Sequence, residues 1–209
     1  MSQLVVDDYG WKSAEAPHSC NYITPEILVN ISRLGAHRIL DLGSGNGALC
    51  RKLADLGYDI VGVDVDKKGI EIARQTYPEI PFYNFNVGDD PGLLLAKEQS
   101  FDVVVSTEVI EHLYSPHDLI RYARAVLNKD GYLILTTPYH GYIKNLVISI
   151  LNKWDFHFTA LRPGGHIKFF SRKTLTQMLT QNGFEVLGFS GVGRIPLLWM
   201  SMILIARMK

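Results

Sequence analysis

The stretch 38–66 reads R-I-L-D-L-G-S-G-N-G-A-L-C-R-K-L-A-D-L-G-Y-D-I-V-G-V-D-V-D, and it constrains the fold more than any other part of the chain. Ile39, Leu40 and Leu42 form an apolar run that enters a turn with glycine at 43, 45 and 47. A helical pattern follows, and a second apolar run, 60–63, ends at Asp64. Strand, glycine-rich turn, helix, strand and acid in that order suit an adenosine-type cofactor. Glycines admit the ligand close to the backbone, the helix N-terminus offers free N–H groups, and the later acid accepts from the ribose hydroxyls. Asp64 meets the last requirement, at the end of the second strand and at the usual spacing of roughly 20 residues from the first glycine.

The pattern Gly43-x-Gly45-x-x-Ala48 also satisfies the dinucleotide fingerprint with alanine in third place, so the glycines alone leave two cofactor classes open. Asp41 separates them. A carboxylate two residues before the first glycine would face and repel a pyrophosphate, whereas S-adenosylmethionine has no phosphate and carries an ammonium and a sulfonium that an acid attracts. The sequence Asp41 to Gly47 has the D-x-G-x-G-x-G form of the first motif of the class I S-adenosylmethionine-dependent methyltransferases, and nearly the whole chain resembles that family. The resemblance implies a single domain over 1–209, an α/β doubly wound, mostly parallel seven-stranded sheet, and donor contacts from Asp41, Gly43, Gly45, Gly47, Asp64, Val65, Asp89 and Glu108. Asp89 matches the family position that meets the adenine amino group. Asp90 is an equally polar neighbour, and both can instead serve the turn before Pro91.

The rest of the chain reads consistently with that architecture. A helix is expected over 25–34, with Thr24 as N-cap and Pro25 at the first helical position. Strands are expected at 38–41, 59–64, 82–87, 101–106 and 132–136, separated by helices at 48–56, 67–76 and 116–127, the last capped by Ser115. A helix capped by Ser171 leads to strands at 184–189 and 200–205, which should be antiparallel because no crossover helix fits between them. The uncharged run 195–206 is about half a bilayer span and holds Pro196, so it reads as a buried strand and no transmembrane segment is expected. Segment 137–170 interrupts the alternation, is too long for a simple connection, and is expected to be a lid or substrate wall at the carboxyl ends of the strands. Residues 1–24 form an aromatic-rich N-terminal arm with Tyr9, Trp11 and Tyr22. Lys and Arg balance Asp and Glu at 21 each, which speaks against a whole-protein field for nucleic acid. Two cysteines, no C-x-x-C and no secretory signal place the chain in a reducing cytoplasm.

After the fourth strand comes Glu108-Val109-Ile110-Glu111-His112. On a helical turn, positions 108, 111 and 112 share one face, so two carboxylates and an imidazole converge at the carboxyl edge of the sheet. Such O, O, N ligands can hold one divalent metal, with Mg, Mn, Zn and Fe equally suited. The E-x-x-E-H motif resembles two methyltransferase families: the ubiquinone-pathway O-methyltransferases, and the enzymes that methylate the terminal ribose 2′-hydroxyl of small RNAs. In the RNA family a later histidine completes the metal set, and His166 is its match here, giving Glu108, Glu111, His112 and His166. A metal would polarise an acceptor hydroxyl. Without one, His112, His140 and His166 are the candidate general bases, since imidazole titrates near neutrality.

These readings lead to O-methylation of a small hydroxylated acceptor, catechol- or diol-like. The cations Lys144, Lys153, Arg162, Lys168, Arg172 and Lys173 are too scattered for an RNA stripe, so RNA 3′-terminal 2′-O-methylation is the weaker alternative. A non-catalytic S-adenosylmethionine-binding partner subunit is a third, opposed by the intact Asp41, Gly43, Gly45 and Asp64.

Overall fold

The computed structural model describes residues 9–158, 161 and 164–209. Residues 1–8 of the N-terminal arm, and Thr159, Ala160, Arg162 and Pro163 of the long segment, lie outside the described residues. Seven strands form one sheet: β1 (Arg38–Leu42), β2 (Asp59–Asp64), β3 (Phe82–Asn84), β4 (Phe101–Thr107), β5 (Leu127–Pro138), β6 (Phe184–Val192) and β7 (Ser201–Met208). Their order is β3-β2-β1-β4-β5-β7-β6. Pairings from β3 through β5 are parallel, and β7 runs antiparallel to both β5 and β6, as the short link between the last two strands requires. The strand order reverses between β1 and β4, which opens a crevice at their carboxyl ends.

Among the described residues eight α-helices accompany the sheet: α1 (Cys20–Leu34), α2 (Ala48–Asp55), α3 (Lys67–Thr76), α4 (Gly92–Leu95), α5 (Pro116–Val126), α6 (Tyr142–Ile150), α7 (Trp154–Phe158) and α8 (Arg172–Gln181). Alternate strand residues feed two cores, one on each face. Ile39, Ile60, Val103, Val105, Ile134 and Ile203 meet α1, α2 and α3 through Ile27, Leu53 and Ile70. Leu40, Val61, Val104, Leu133 and Leu204 meet α5 and α8 through Leu119, Ala123 and Leu175. Both faces being covered explains why the central strands read as continuous apolar runs.

Several boundaries differ from the sequence expectation, β6 and β7 among them, which run on to Val192 and Met208. Helix α1 starts a turn earlier than Thr24, and Pro25 lies inside it. Ile23 extends the buried stripe of Ile27 and Ile31 to the earlier turn, so packing carries the helix past the local start signal. β3 stops at Asn84, and 85–88 becomes a loop at the sheet edge. β5 begins at Leu127, where it pairs with Phe101 before a register shift. The one-turn helix α4 has too little periodicity to be read in advance. The run 195–206 resolves into a loop and the inner strand β7, and none of the described helices is long and apolar enough to cross a membrane.

Candidate functional site

The glycine turn closes β1 against the second strand and leaves a cavity of about 880 Å³ along the carboxyl edge of the sheet. Gly43, Gly45 and Gly47 all have positive φ, at 96°, 53° and 79°. Each glycine serves a separate contact. A Cβ on Gly43 would overlap Val109 of the loop after β4, and one on Gly45 would lie 2.6 Å from Trp11 of the arm. One on Gly47 would lie 2.7 Å from Phe82 of β3. Gly43 and Gly45 line the cavity, whereas Gly47 does not and allows the close packing of helix on sheet. This corrects its expected role as a donor contact.

The acids are set by burial. Asp64 accepts from the Gly45 N–H at 2.7 Å and the Asp66 N–H at 2.7 Å, so it braces the glycine turn while lining the cavity. Burial pushes its carboxyl up to about 6. The neighbouring Asp66 caps α3 by accepting from Lys68 and Gly69, and also accepts from the Tyr9 N–H of the arm. Asn46 ties down the same arm by donating to the carbonyls of Ser13 and Glu15. Asp41 is only 1% exposed, and its carboxyl is pushed up to about 7 by burial. One oxygen accepts a 3.4 Å thiol contact from Cys50, but Asp41 Oδ1 has no partner, and neither has the buried Ser44 Oγ. An orphaned carboxylate oxygen beside an open cavity fits an ammonium, so these residues suit S-adenosylmethionine: Asp41 and Ser44 at its amino-acid end, Asp64 at its ribose, Val65 beside the adenine.

Asp89 stands elsewhere. Its carboxylate accepts from the Asn86 N–H at 2.7 Å, closing the 86–89 turn, and it does not line the cavity. Asp90 likewise accepts from Gly92. From this loop the cavity is lined instead by Phe85, Asn86, Val87 and Gly88. Loops give no periodic signal, which is why these residues were not singled out from the sequence.

The E-x-x-E-H residues divide into two groups. The turn at Ile110–His112 is a short 3-10 helix, and Glu108 precedes it with φ 54°. This sends the Glu108 side chain away from the other two: Oε1 accepts from Thr136 Oγ1 at 2.8 Å and Oε2 from Ser201 Oγ at 3.0 Å. Glu108 still lines the donor cavity, with its carboxyl raised to about 7 by burial, but it leaves the expected metal set. Glu111, His112 and His166 do come together, with one ligand atom from each within 4.8 Å of the others. Glu111 Oε1 is buried without a hydrogen-bond partner and stands 4.0 Å from His112 Nε2 and 3.9 Å from His166 Nε2. Its other oxygen accepts from Thr137 Oγ1 at 2.9 Å. Its backbone carbonyl accepts from Ile167 and Lys168, which pins the His166 loop in place. Burial, then the charge of Glu108, holds the Glu111 carboxyl well above its usual range. Ligand atoms sharing one ion at the usual ~2.1 Å bond stand about 3.0–3.4 Å apart in octahedral or tetrahedral geometry, so the three side chains would have to close in by roughly 1 Å to enclose one.

His112 and His166 line the donor cavity, and His140 does not. It sits in a neighbouring recess, ring against Phe158, where burial pushes its imidazole down to about 4. That removes His140 from the candidate bases at the methyl-transfer position. Among the described residues the donor cavity is lined by no Lys or Arg, and its charged groups are Asp41, Asp64, Glu108 and Asp118.

Comparison with known proteins agrees with this fold. The family profile described as a methyltransferase domain matches residues 20–188. The ubiquinone biosynthesis O-methyltransferase of Roseobacter denitrificans is 31% identical over 193 residues, covering 88% of this chain and 77% of that protein. The enzyme of the same description from Coxiella burnetii is 28% identical, covering 90% and 81%. Among solved structures, magnesium protoporphyrin IX methyltransferase from Synechocystis with bound SAH superposes with a TM-score of 0.65 at 18% identity, covering 89% of this chain and 80% of that one. An S-adenosylmethionine-dependent methyltransferase from Clostridium acetobutylicum superposes at 0.68 with 9% identity, covering 93% of each. With the family profile spanning most of the sheet and the donor residues gathered at its switch point, this chain belongs to the class I S-adenosylmethionine-dependent methyltransferases.

Proposed function

We propose that the chain methylates a hydroxyl of a small, neutral, catechol- or diol-like acceptor, and that Glu111, His112 and His166 hold one divalent ion beside it. The observation that carries this reading is the orphaned, buried Glu111 Oε1 beside His112 and His166, the two imidazoles that line the donor cavity. When bound, S-adenosylmethionine supplies a methyl carbon on a sulfonium, and a divalent ion would supply Lewis acidity toward adjacent acceptor oxygens. The chain's own residues do the positioning. Asp64 and Asp41 fix the two ends of the donor, and Val109 packs over Gly43 at its centre. With an ion held, Glu111 and the two histidines would bring the acceptor hydroxyl to the same edge; without one, His112 or His166 can take its proton. The names of the ubiquinone-pathway relatives support oxygen as the methylated atom. A cavity with acidic and no basic described side chains disfavours an anionic acceptor or an RNA backbone. In this reading the described helices α6 and α7 supply the substrate wall.

The test is methyl transfer to a matched panel read by mass spectrometry: a catechol, the same ring with one hydroxyl removed, its carboxylate analogue, and an RNA oligonucleotide with a 3′-terminal diol. The catechol should be methylated, and Glu111→Gln or His166→Ala should lower kcat by roughly hundredfold or more. Methylation of the RNA alone would replace this reading with the RNA alternative.

A further inference from the structure

Beside the donor cavity lies a second recess of about 560 Å³, walled by Trp154, Phe158 and Phe169 together with His140, Asn145 and Thr174. Phe158 lines both cavities, so they share a wall. The rings around it interlock. Trp154 stacks on Phe158 at 4.6 Å between centroids, His140 stacks on its ring at 5.7 Å, and Phe169 meets both His140 and Phe158 edge-on at 5.2 Å. Yet Trp154 and Phe169 remain 46% and 55% exposed, so this aromatic set is open on the recess side. Within it, His140 Nε2 and Asn145 Oδ1 are buried and neither makes a hydrogen bond of normal geometry, the Asn145 side chain standing near the imidazole without saturating it. Unpaired buried polar atoms are costly, and a bound group able to satisfy them removes that cost.

We propose that this recess is a ligand subsite that seats the non-reacting part of the methyl acceptor, a neutral aromatic ring bearing a hydroxyl. The ring lies among Trp154, Phe158 and Phe169, with the hydroxyl on His140 Nε2. Ring against ring at these spacings is the favoured aromatic geometry. A hydroxyl both donates and accepts, so it satisfies Nε2 in either tautomer. Burial, then the charge of Lys144, keeps the His140 imidazole neutral at physiological pH, and among the described residues the recess itself is lined by Asp155 and by no Lys or Arg, which disfavours a carboxylate or phosphate. The volume is that of a small organic ligand. Naming the ligand as acceptor rests on the methyl-transfer reading; binding in the recess does not.

The experiment is a ligand-observed NMR titration of full-length protein saturated with S-adenosylhomocysteine, using 4-propylphenol, propylbenzene and 4-propylbenzoate as probes. The phenol should bind about tenfold tighter than propylbenzene, the worth of one buried hydrogen bond, and the benzoate weakest of the three. His140→Phe should abolish the preference for the phenol over propylbenzene. Phe169→Ala, at a half-exposed position that tolerates change, should weaken both probes. Both variants should keep wild-type affinity for S-adenosylhomocysteine, which also checks that they fold. Equal binding of the three probes, or a phenol preference that survives in His140→Phe, overturns the assignment. If the phenol preference holds while S-adenosylhomocysteine fails to bind the wild type, the subsite stands and the methyl-transfer reading falls.

Discussion

Asp41 should trade stability for donor binding, and its replacement by asparagine separates the two. The side chain is 1% exposed with one oxygen unpartnered, and its carboxyl is raised from 3.8 to about 7, by burial first and by the charge of Asp64. Between about pH 4 and about pH 7 the folded chain therefore keeps a proton at Asp41 that the unfolded chain has released, and stability falls as pH rises through that window. At about 1.4 kcal/mol per pH unit the ceiling on this cost is about 4 kcal/mol above pH 7. Asparagine removes it but places an amide N–H₂ where no acceptor waits, which costs about 1–2 kcal/mol. The net expectation for Asp41→Asn without donor is a gain of about 2 kcal/mol at pH 8, or roughly 4–8 °C in Tm, shrinking to near zero at pH 5. In the same variant, affinity for S-adenosylhomocysteine should fall roughly tenfold to hundredfold, because the ammonium loses its charged partner. Scanning calorimetry at the two pH values and isothermal titration at pH 8 measure both effects. A variant that melts below wild type at pH 8, or that binds the donor product as tightly as wild type, refutes the reasoning.

Asp64→Ala should weaken S-adenosylhomocysteine binding by about 1–3 kcal/mol in calorimetry, since Asp64 lines the cavity where the proposed donor ribose would lie and holds the Gly45 N–H, and NAD should not compete. Gly62→Ala should cost about 1–3 kcal/mol in urea unfolding, because a Cβ there would overlap the Phe82 ring that also packs on Gly47. Hydrogen exchange should be faster over 142–158 than in β1 and β4 of the free protein and should slow when acceptor and donor product are both present; protection equal to the central strands without ligand would make this segment a fixed packing element.

The parallel core was legible because strands covered on both faces leave continuous apolar runs, and each helix between them leaves a period and a cap. The glycine turn and the acids of the candidate donor site were legible for a related reason. Asp41, Gly43, Gly45 and Asp64 occupy fixed distances along one βαβ unit, so sequence spacing is already geometry. Where the contacts are long-range, spacing carried less. Glu108 was placed with Glu111 by assuming helical phase, but a positive φ and two hydroxyls from β5 and β7 turn it away. Nothing local to Glu108 announces Ser201. His166 was reached only through the family motif, and the structure does bring it to Glu111. Trp11 over Gly45 and Asn46 holding the arm depend on a non-periodic segment folding back over the glycine turn, for which the sequence offers aromatic content but no register.

The most direct measurement of the central claim is anomalous diffraction from crystals grown with S-adenosylhomocysteine and Mn. The account predicts donor product with its ribose on Asp64 and its ammonium on Asp41, and a single Mn peak within ~2.0–2.3 Å of Glu111, His112 and His166, with Glu108 still held by Thr136 and Ser201. Donor product in place with no Mn peak, or a peak ligated by Glu108, would contradict it.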